Sequence, residues 1–163
     1  MKKIYAPWRY EYIRNPDSYS CIFCKASKGK DDRSCYVLLR GEHTFVMMNI
    51  FPYNNGHIMI APYKHTGDLQ ELNLDEMNEL ISYTQIWEAA IREAMNPQGF
   101  NIGMNIGRVA GAGVEDHLHI HVVPRWSGDT NFMPVIGETK VIPMNLNEAY
   151  DLLKSTYEQK FTN

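Results

Sequence analysis

Histidine alternates with an aliphatic residue three times between Asp116 and Pro124. Strict alternation is typical of a β-strand, because successive side chains of a strand point to opposite faces. We therefore predict a strand that buries its aliphatic side chains and lines one open face with its histidines. Histidines two positions apart would be separated by about 7 Å, so two of them could share a metal ion but all three could not. The histidines of this stretch are His117, His119 and His121.

The chemistry of this histidine face has two readings from the residues alone. Three imidazoles on one face repel one another when protonated, which lowers their pKa values, so at least one should be neutral and nucleophilic at neutral pH. The glycine-spaced segment from Gly107 to Gly113 precedes the strand and offers backbone N–H groups to an anion such as phosphate. A His-x-His strand suits zinc equally well. A nucleophile and a metal site are therefore equal alternatives here.

The remaining pattern predicts one α+β domain over residues 1–163, long enough for a full hydrophobic core. Asn73, with Glu76 three residues later, predicts a capped helix that continues to Met95. Asn145 with Glu148 repeats the pattern before a carboxyl-terminal helix. Short apolar runs predict further strands, which would form a mostly antiparallel sheet beside the long central helix. These runs are residues 36–39, 43–48, 57–61 and 100–106.

Charge and cysteine content restrict the class of protein. The formal net charge is −3 and no basic run stands out, so we expect no nucleic-acid partner. No apolar run suggests a signal peptide or a membrane partner. Two of the three cysteines form the pair Cys21-x-x-Cys24, within residues 15–34 that we interpret as a loop. Such a pair indicates a reducing, cytoplasmic compartment and a metal or redox role.

The full histidine pattern resembles the signature of the histidine triad family of nucleotide hydrolases and transferases. Further motifs look like its diadenosine tetraphosphate phosphorylase-like, fragile-histidine-triad-like branch. That resemblance implies a histidine triad fold with the cysteine pair in residues 1–34 and a carboxyl-terminal extension at 124–163. The motifs extend over nearly the whole chain: Ala6-Pro7-Trp8-Arg9, Cys21-Ile22-Phe23-Cys24, Asn55-Gly56-His57, Pro62-Tyr63-Lys64-His65 and the run from Pro124 to Phe132.

The resemblance implies a catalytic role for three histidines. His119 would attack the α-phosphorus of a nucleotide and carry the nucleotidyl group as a phosphoramidate, which water or phosphate then accepts. His121 would hydrogen-bond the α-phosphate and help to handle the leaving-group proton. His57, on the adjacent strand, would support the same cluster.

The resemblance also implies a nucleotide pocket. Asn49 would bind the ribose, Asn105 would contact the phosphate or ribose, and Met47 and Met59 would wall the base. Trp126 would lie near the nucleotide, where an indole can stack on a base. Each position has a simpler alternative. Asn49 could cap a turn, the methionines could be ordinary core, and Trp126 could cover the core or contact a second subunit.

Gly113 departs from the family pattern, because relatives commonly carry Ser, Thr or Gln at this position to bind phosphate. Here the backbone N–H is the remaining donor. Loss of a side-chain hydrogen bond to a charged group costs roughly 1.5–3 kcal/mol. The glycine at this position therefore bears on both the turnover rate and the class of substrate.

A structural Zn²⁺ is implied as well, and it would leave His119 and His121 for chemistry. The alternative is a reduced, buried cysteine pair. We also expect Mg²⁺ to accompany the substrate, an adenine nucleotide or dinucleoside polyphosphate, and we expect a homodimer. The main functional hypothesis is a dinucleoside polyphosphate hydrolase or phosphorylase. The alternatives are a phosphoramidate hydrolase, a weakly catalytic signalling module and a protein whose triad holds a functional metal. The expected zinc ligands are Cys21, Cys24, His65 and His117.

Overall fold

The computed structural model describes residues 21–129, residue 136 and residues 142–162. The motif at residues 6–9 and the end of the carboxyl-terminal motif, residues 130–132, lie outside this range. Among the described residues, no helix combines the length and apolar character needed to cross a membrane. In chain order the elements are α1 (Ile22–Lys28), β1 (Val37–Arg40), β2 (Thr44–Met48), β3 (Ile58–Pro62), α2 (Leu74–Met95), β4 (Gly99–Met104), β5 (Ile120–Arg125) and α3 (Leu146–Lys160).

The five strands form one sheet in the order β1-β2-β3-β5-β4, and every neighbouring pair is antiparallel. The long helix α2 has the expected capping box. The Asn73 side chain accepts from the Glu76 backbone N–H at 2.9 Å, and the Glu76 carboxylate accepts from the Asn73 N–H at 2.8 Å. The predicted α+β fold, with a mostly antiparallel sheet, a long helix and a carboxyl-terminal helix, is confirmed.

The two faces of the sheet have different partners. One face packs against α2 and α3 in a cluster that includes Val46, Ile60, Val122 and Trp87. Alternate residues of β2 and β3 point the other way, into a second cluster that contains Phe23 of α1. We call this second side of the sheet the site face, because the histidines lie on it.

The short helix α1 corrects two predictions. It lies within residues 15–34, which we had interpreted as a loop, and it covers part of the site face. The Phe23 ring centroid lies 4.6 Å from that of His119 and 5.0 Å from that of His117. His117 and His119 are therefore only 1% and 4% exposed, so the predicted open histidine face is wrong. Only His121 of the three belongs to the strand itself, since β5 begins at Ile120.

Arg40 of β1 attaches the carboxyl-terminal end of α1 to the sheet. Its guanidinium donates to the carbonyl oxygens of Ser27, Ala26 and Gly29 at 2.8, 2.9 and 3.0 Å. The same side chain forms a salt bridge with Asp32 at 2.7 Å. A cation near the last carbonyls of a helix also interacts favourably with the helix dipole. These contacts hold α1, and thus Phe23, in place over the histidines.

Candidate active site

His119 is held in one tautomer by the backbone. Its Nδ1 lies 2.8 Å from the carbonyl oxygen of His117, and a carbonyl only accepts, so Nδ1 must carry the proton. A neutral His119 therefore has its lone pair on Nε2. Burial lowers the pKa of His119, although the hydrogen bond to the carbonyl opposes this effect. The result is a neutral imidazole with a nucleophilic nitrogen.

His57 and His121 form a hydrogen-bonded pair whose direction is also fixed by the backbone. The Tyr53 N–H donates to His57 Nδ1 at 3.1 Å, so that nitrogen carries no proton. A neutral His57 must then carry its proton on Nε2, which lies 3.0 Å from His121 Nδ1. Because His121 accepts at Nδ1, its own proton is on Nε2. His121 is thus a hydrogen-bond donor beside the lone pair of His119, with ring centroids 4.7 Å apart.

The pKa values of His119 and His121 are lowered, as expected, but mainly for a different reason. Burial lowers the pKa of His121 to about 4, and the charge of His119 adds to this effect. The alternating histidines alone predict a lowering by mutual repulsion. Desolvation is the larger cause, because α1 covers a face that the alternation had suggested to be open.

A separate cluster brings together the four expected metal ligands, Cys21, Cys24, His65 and His117, whose donor atoms all lie within 4.8 Å of one another. His117 Nδ1 is 3.3 Å from Cys21 Sγ and 3.2 Å from His65 Nδ1. The bond lengths of a tetrahedral Zn²⁺ give ligand separations of roughly 3.3–3.8 Å. His117 Nε2 donates to the Pro62 carbonyl at 2.8 Å, which leaves the Nδ1 lone pair directed into the cluster. The donor set and its spacing fit Zn²⁺.

Local structure explains how these ligands meet. Cys21 is the residue before α1 and Cys24 is in its first turn, so both thiols lie at the same end of the helix. His65 follows the end of β3, and His117 precedes β5, which pairs with β3. The cysteine pair and the histidines are therefore brought together by neighbouring strands and one short helix.

The polar residues of the expected nucleotide pocket lie around the histidines. Asn49 is half-buried, and its Oδ1 accepts from the Phe51 N–H at 2.9 Å, so it does cap a turn. Its Nδ2 lies 3.4 Å from His57 Nδ1. Asn105 follows the end of β4, next to the segment that contains His119. Gly113 is exposed, and a Cβ added there would meet no other heavy atom within 4 Å, so packing does not require the glycine.

The hydrophobic residues of the expected pocket fit it less well. Met47 and Met59 are 4% and 3% exposed and belong to the cluster under Phe23. This burial favours the core interpretation over a direct contact with a base. Trp126 is half-buried at the end of β5, where its backbone N–H donates to the Asp129 carboxylate at 3.1 Å.

Two aromatic residues near the histidines were not singled out from the sequence. Phe23 lies between the two cysteines in the sequence. A large apolar residue between two metal-binding cysteines indicates that its side chain packs beside the ligands, so this position could have been found from the sequence. Tyr53 lies over the His57 and His121 rings, with centroids 4.7 and 5.8 Å away. Its position before Asn54-Asn55-Gly56 gave no comparable signal.

Comparisons with known proteins agree with this geometry. A family model described as HIT domain matches residues 31–128. An AP-4-A phosphorylase of Mycobacterium tuberculosis is 35% identical over 98% of this chain and 86% of its own length. An adenosine 5′-monophosphoramidase of Schizosaccharomyces pombe is 30% identical over 65% of this chain and 74% of its own length. A Zn-bound histidine triad family protein of Mycobacterium smegmatis has a similar structure, with a TM-score of 0.70 and 29% identity over 86% of this chain and 94% of that one.

Proposed function

The chain belongs to the HIT domain family, and from this premise we propose that it is an enzyme that cleaves dinucleoside polyphosphates at the α-phosphate. The proposed substrates resemble diadenosine tetraphosphate. The observation that carries the proposal is the pair of fixed tautomers, which sets a lone pair on His119 Nε2 beside an N–H on His121. An AP-4-A phosphorylase among the relatives supports the choice of substrate.

The proposed reaction has two displacements at phosphorus. His119 Nε2 forms a bond to the α-phosphorus while the bond to the bridging oxygen breaks, and the electron pair leaves with the polyphosphate. The Nε2–H of His121 hydrogen-bonds the developing charge, and His57 holds His121 in the donating tautomer. Water, which loses a proton to the solvent, or phosphate then attacks the phosphorus. The Nε2–P bond breaks, and its electron pair returns to His119. Polyphosphate leaves as an anion, so the first step needs no general acid.

Identification of the products tests the proposal and distinguishes hydrolysis from phosphorolysis. The purified protein would be incubated with diadenosine tetraphosphate, with and without inorganic phosphate. Hydrolysis at an α-phosphate yields AMP and ATP, whereas phosphorolysis yields ADP and ATP. No product under either condition would contradict the proposal.

Phosphoramidate hydrolysis is the second candidate, favoured by the similarity to a monophosphoramidase. It uses the same attack by His119 on an adenylyl group, but the P–N bond breaks and the departing amine takes a proton from the Nε2–H of His121. Adenosine 5′-phosphoramidate should then be turned over with a higher kcat/KM than diadenosine tetraphosphate. The comparison of these two substrates decides between the candidates.

The fall of kcat/KM at acidic pH should occur well below the ordinary pKa of histidine. Because the pKa of His121 is lowered to about 4, its neutral form persists at pH values where an exposed histidine is protonated. We therefore expect kcat/KM to stay nearly constant from about pH 8 to about pH 5.5 and to fall only below that range. Circular dichroism at each pH would show that the fold is intact. A midpoint near 6.5 would contradict the lowered pKa values of both His119 and His121.

Asn49 is proposed to bind the ribose through its amide. Asn49→Ala should raise KM for diadenosine tetraphosphate about tenfold, which corresponds to the loss of about 1.4 kcal/mol from one hydrogen bond. Steady-state kinetics measure this change, and thermal unfolding serves as a control for the lost turn cap. An unchanged KM with a lowered melting temperature would mean that Asn49 only caps the turn.

We propose that Zn²⁺ binds to Cys21, Cys24, His65 and His117 and stabilises the fold, where it would fix α1 to the end of the sheet. A Zn-bound relative and the convergent donor atoms support this assignment. The three cysteines carry free thiols, which is compatible with the proposed cytoplasmic location. Mg²⁺ would arrive with the phosphates of the substrate.

A homodimer is proposed through the edge strand β4. Its sequence contains no charged residue or proline, the features that usually protect an exposed edge from pairing. Sedimentation should give twice the chain mass of 18.9 kDa, and Ile102→Lys should shift the protein to a monomer. A wild-type protein that sediments as a monomer at micromolar concentration would contradict this proposal.

A further inference from the structure

An open cavity of about 200 Å³ lies on the site face beside the histidines. It is lined by Tyr53, Asn54, Asn101, Val123 and Arg125. None of these side chains has a role in the two displacements described above. Its location and its lining residues therefore indicate a binding role that is separate from the two displacements.

The cavity lies next to His121 along the site face. Val123 follows His121 on the same face of β5, and Asn101 of β4 pairs with Val123. Gly103, the partner of His121, adds no side chain, and a Cβ there would meet nothing within 4 Å. In-line attack by His119 places the leaving group on the side of the phosphorus that faces away from His119. The cavity is the next feature along the strand.

The cation in the cavity is already neutralised. Arg125 donates to both Asp129 oxygens, at 2.7 Å from Nε and 3.0 Å from Nη2. The Asp129 side chain is only 8% exposed, and it also accepts from Asn54 Nδ2 at 2.7 Å. A free phosphate would have to compete with this buried carboxylate. The cavity is therefore better suited to an uncharged group than to an anion.

The remaining walls suit a flat, aromatic group with hydrogen-bond acceptors. Arg125 Nη1 donates to Asn101 Oδ1, which leaves the Asn101 amide N–H groups as available donors. Val123 supplies an apolar floor, and Tyr53, 54% exposed, supplies an aromatic wall. Aromatic side chains stack on nucleobases without regard to their identity, and amides hydrogen-bond their edges. The volume is below the roughly 300–1,000 Å³ of complete ligand sites, so it fits one base and not a whole nucleotide.

We propose that this cavity binds the base of the second nucleoside, the half of the dinucleotide that leaves with the polyphosphate. The base would stack on Tyr53 and accept a hydrogen bond from Asn101. The inference rests on the proposed function, since it assigns a place to the second half of the proposed substrate. It gives the enzyme a reason to prefer a dinucleotide to a mononucleotide with the same phosphate chain.

Binding to a protein that cannot turn over the ligand tests this inference apart from the chemistry. In the His119→Ala background, calorimetry would compare diadenosine tetraphosphate with adenosine 5′-tetraphosphate, which has the same chain but no second nucleoside. We expect the dinucleotide to bind at least about tenfold more tightly, the scale of stacking by one base. Adding Asn101→Leu or Tyr53→Leu should reduce this preference to less than about threefold. Asn78→Leu, on the exposed surface of α2, is the matched control and should retain it.

Each other result has a defined meaning. Equal affinity for the two ligands would overturn the second-base site but leave the proposed reaction intact, because wild-type turnover is measured separately. A preference that survives both cavity variants would place the second nucleoside elsewhere. If inorganic phosphate displaced the dinucleotide from the control but not from Asn101→Leu, the cavity would be an anion site and the inference would be wrong. Undetectable binding of both ligands would overturn the inference and the proposed function together.

Discussion

His119→Ala should slow turnover of diadenosine tetraphosphate at least about a thousandfold, a loss of about 4 kcal/mol or more in transition-state stabilisation. The variant removes Nε2 of His119, the nitrogen that attacks the phosphorus in the proposed reaction. Nucleotide affinity should stay near that of the wild-type protein, because the pocket and the His57–His121 pair are left in place. Steady-state kinetics and calorimetry measure the two quantities separately.

His43→Ala is the matched control for this variant. His43 is half-buried immediately before β2, at the end of the β2–β3 pair opposite to His57. Its backbone N–H donates to Glu79 at 2.8 Å, a contact that alanine keeps. Its activity should be close to that of the wild type. If His119→Ala retained more than about a tenth of the activity, the imidazole would contribute less than about 1.4 kcal/mol of transition-state stabilisation. A nucleophilic role for His119 would then be wrong.

Cys24→Ser should remove zinc and lower the melting temperature by roughly 10 °C. Structural zinc contributes directly to folding free energy, and a loss of about 3–5 kcal/mol corresponds to roughly 10 °C in a domain of this size. The expected site joins α1 to residues that flank β3 and β5, so its loss releases the helix from the sheet. Elemental analysis and thermal unfolding measure the two effects.

Cys35→Ser is the control, because Cys35 is a free thiol outside the four-residue cluster. It should keep about one zinc per chain. Wild-type protein that is purified without chelators and contains no zinc would contradict the site. So would a Cys24→Ser protein that keeps its full zinc content.

The elements that were predicted correctly are those with local causes. The capping box of α2 depends on Asn73 and Glu76, only three residues apart, and the strands follow from short apolar runs. Helix α1 was missed because its causes are not local. It has seven residues, and it is held by Arg40 from β1 and by burial of Phe23. A helix this short has little intrinsic stability without tertiary contacts.

The same distinction applies to the candidate site. The alternation correctly predicted that Leu118, Ile120 and Val122 are buried. It could not show that the opposite side is covered, because Phe23 lies about a hundred residues earlier in the chain. The tautomer of His117 likewise depends on a distant group, the Pro62 carbonyl. The groups that set the tautomers of His57 and His119, the Tyr53 N–H and the His117 carbonyl, are close in the chain, but their contact with the rings depends on the folded backbone. Proton positions therefore had to come from the structure.

The most direct test of the central claim is to trap the covalent intermediate. Wild-type protein would be mixed with diadenosine tetraphosphate labelled at the α-phosphate and quenched during turnover under denaturing, alkaline conditions. We expect acid-labile label on the peptide that contains His119, and no protein-bound label in His119→Ala. Label on another residue, or turnover by the wild type with no labelled protein at any quench time, would contradict a nucleotidyl-His119 intermediate.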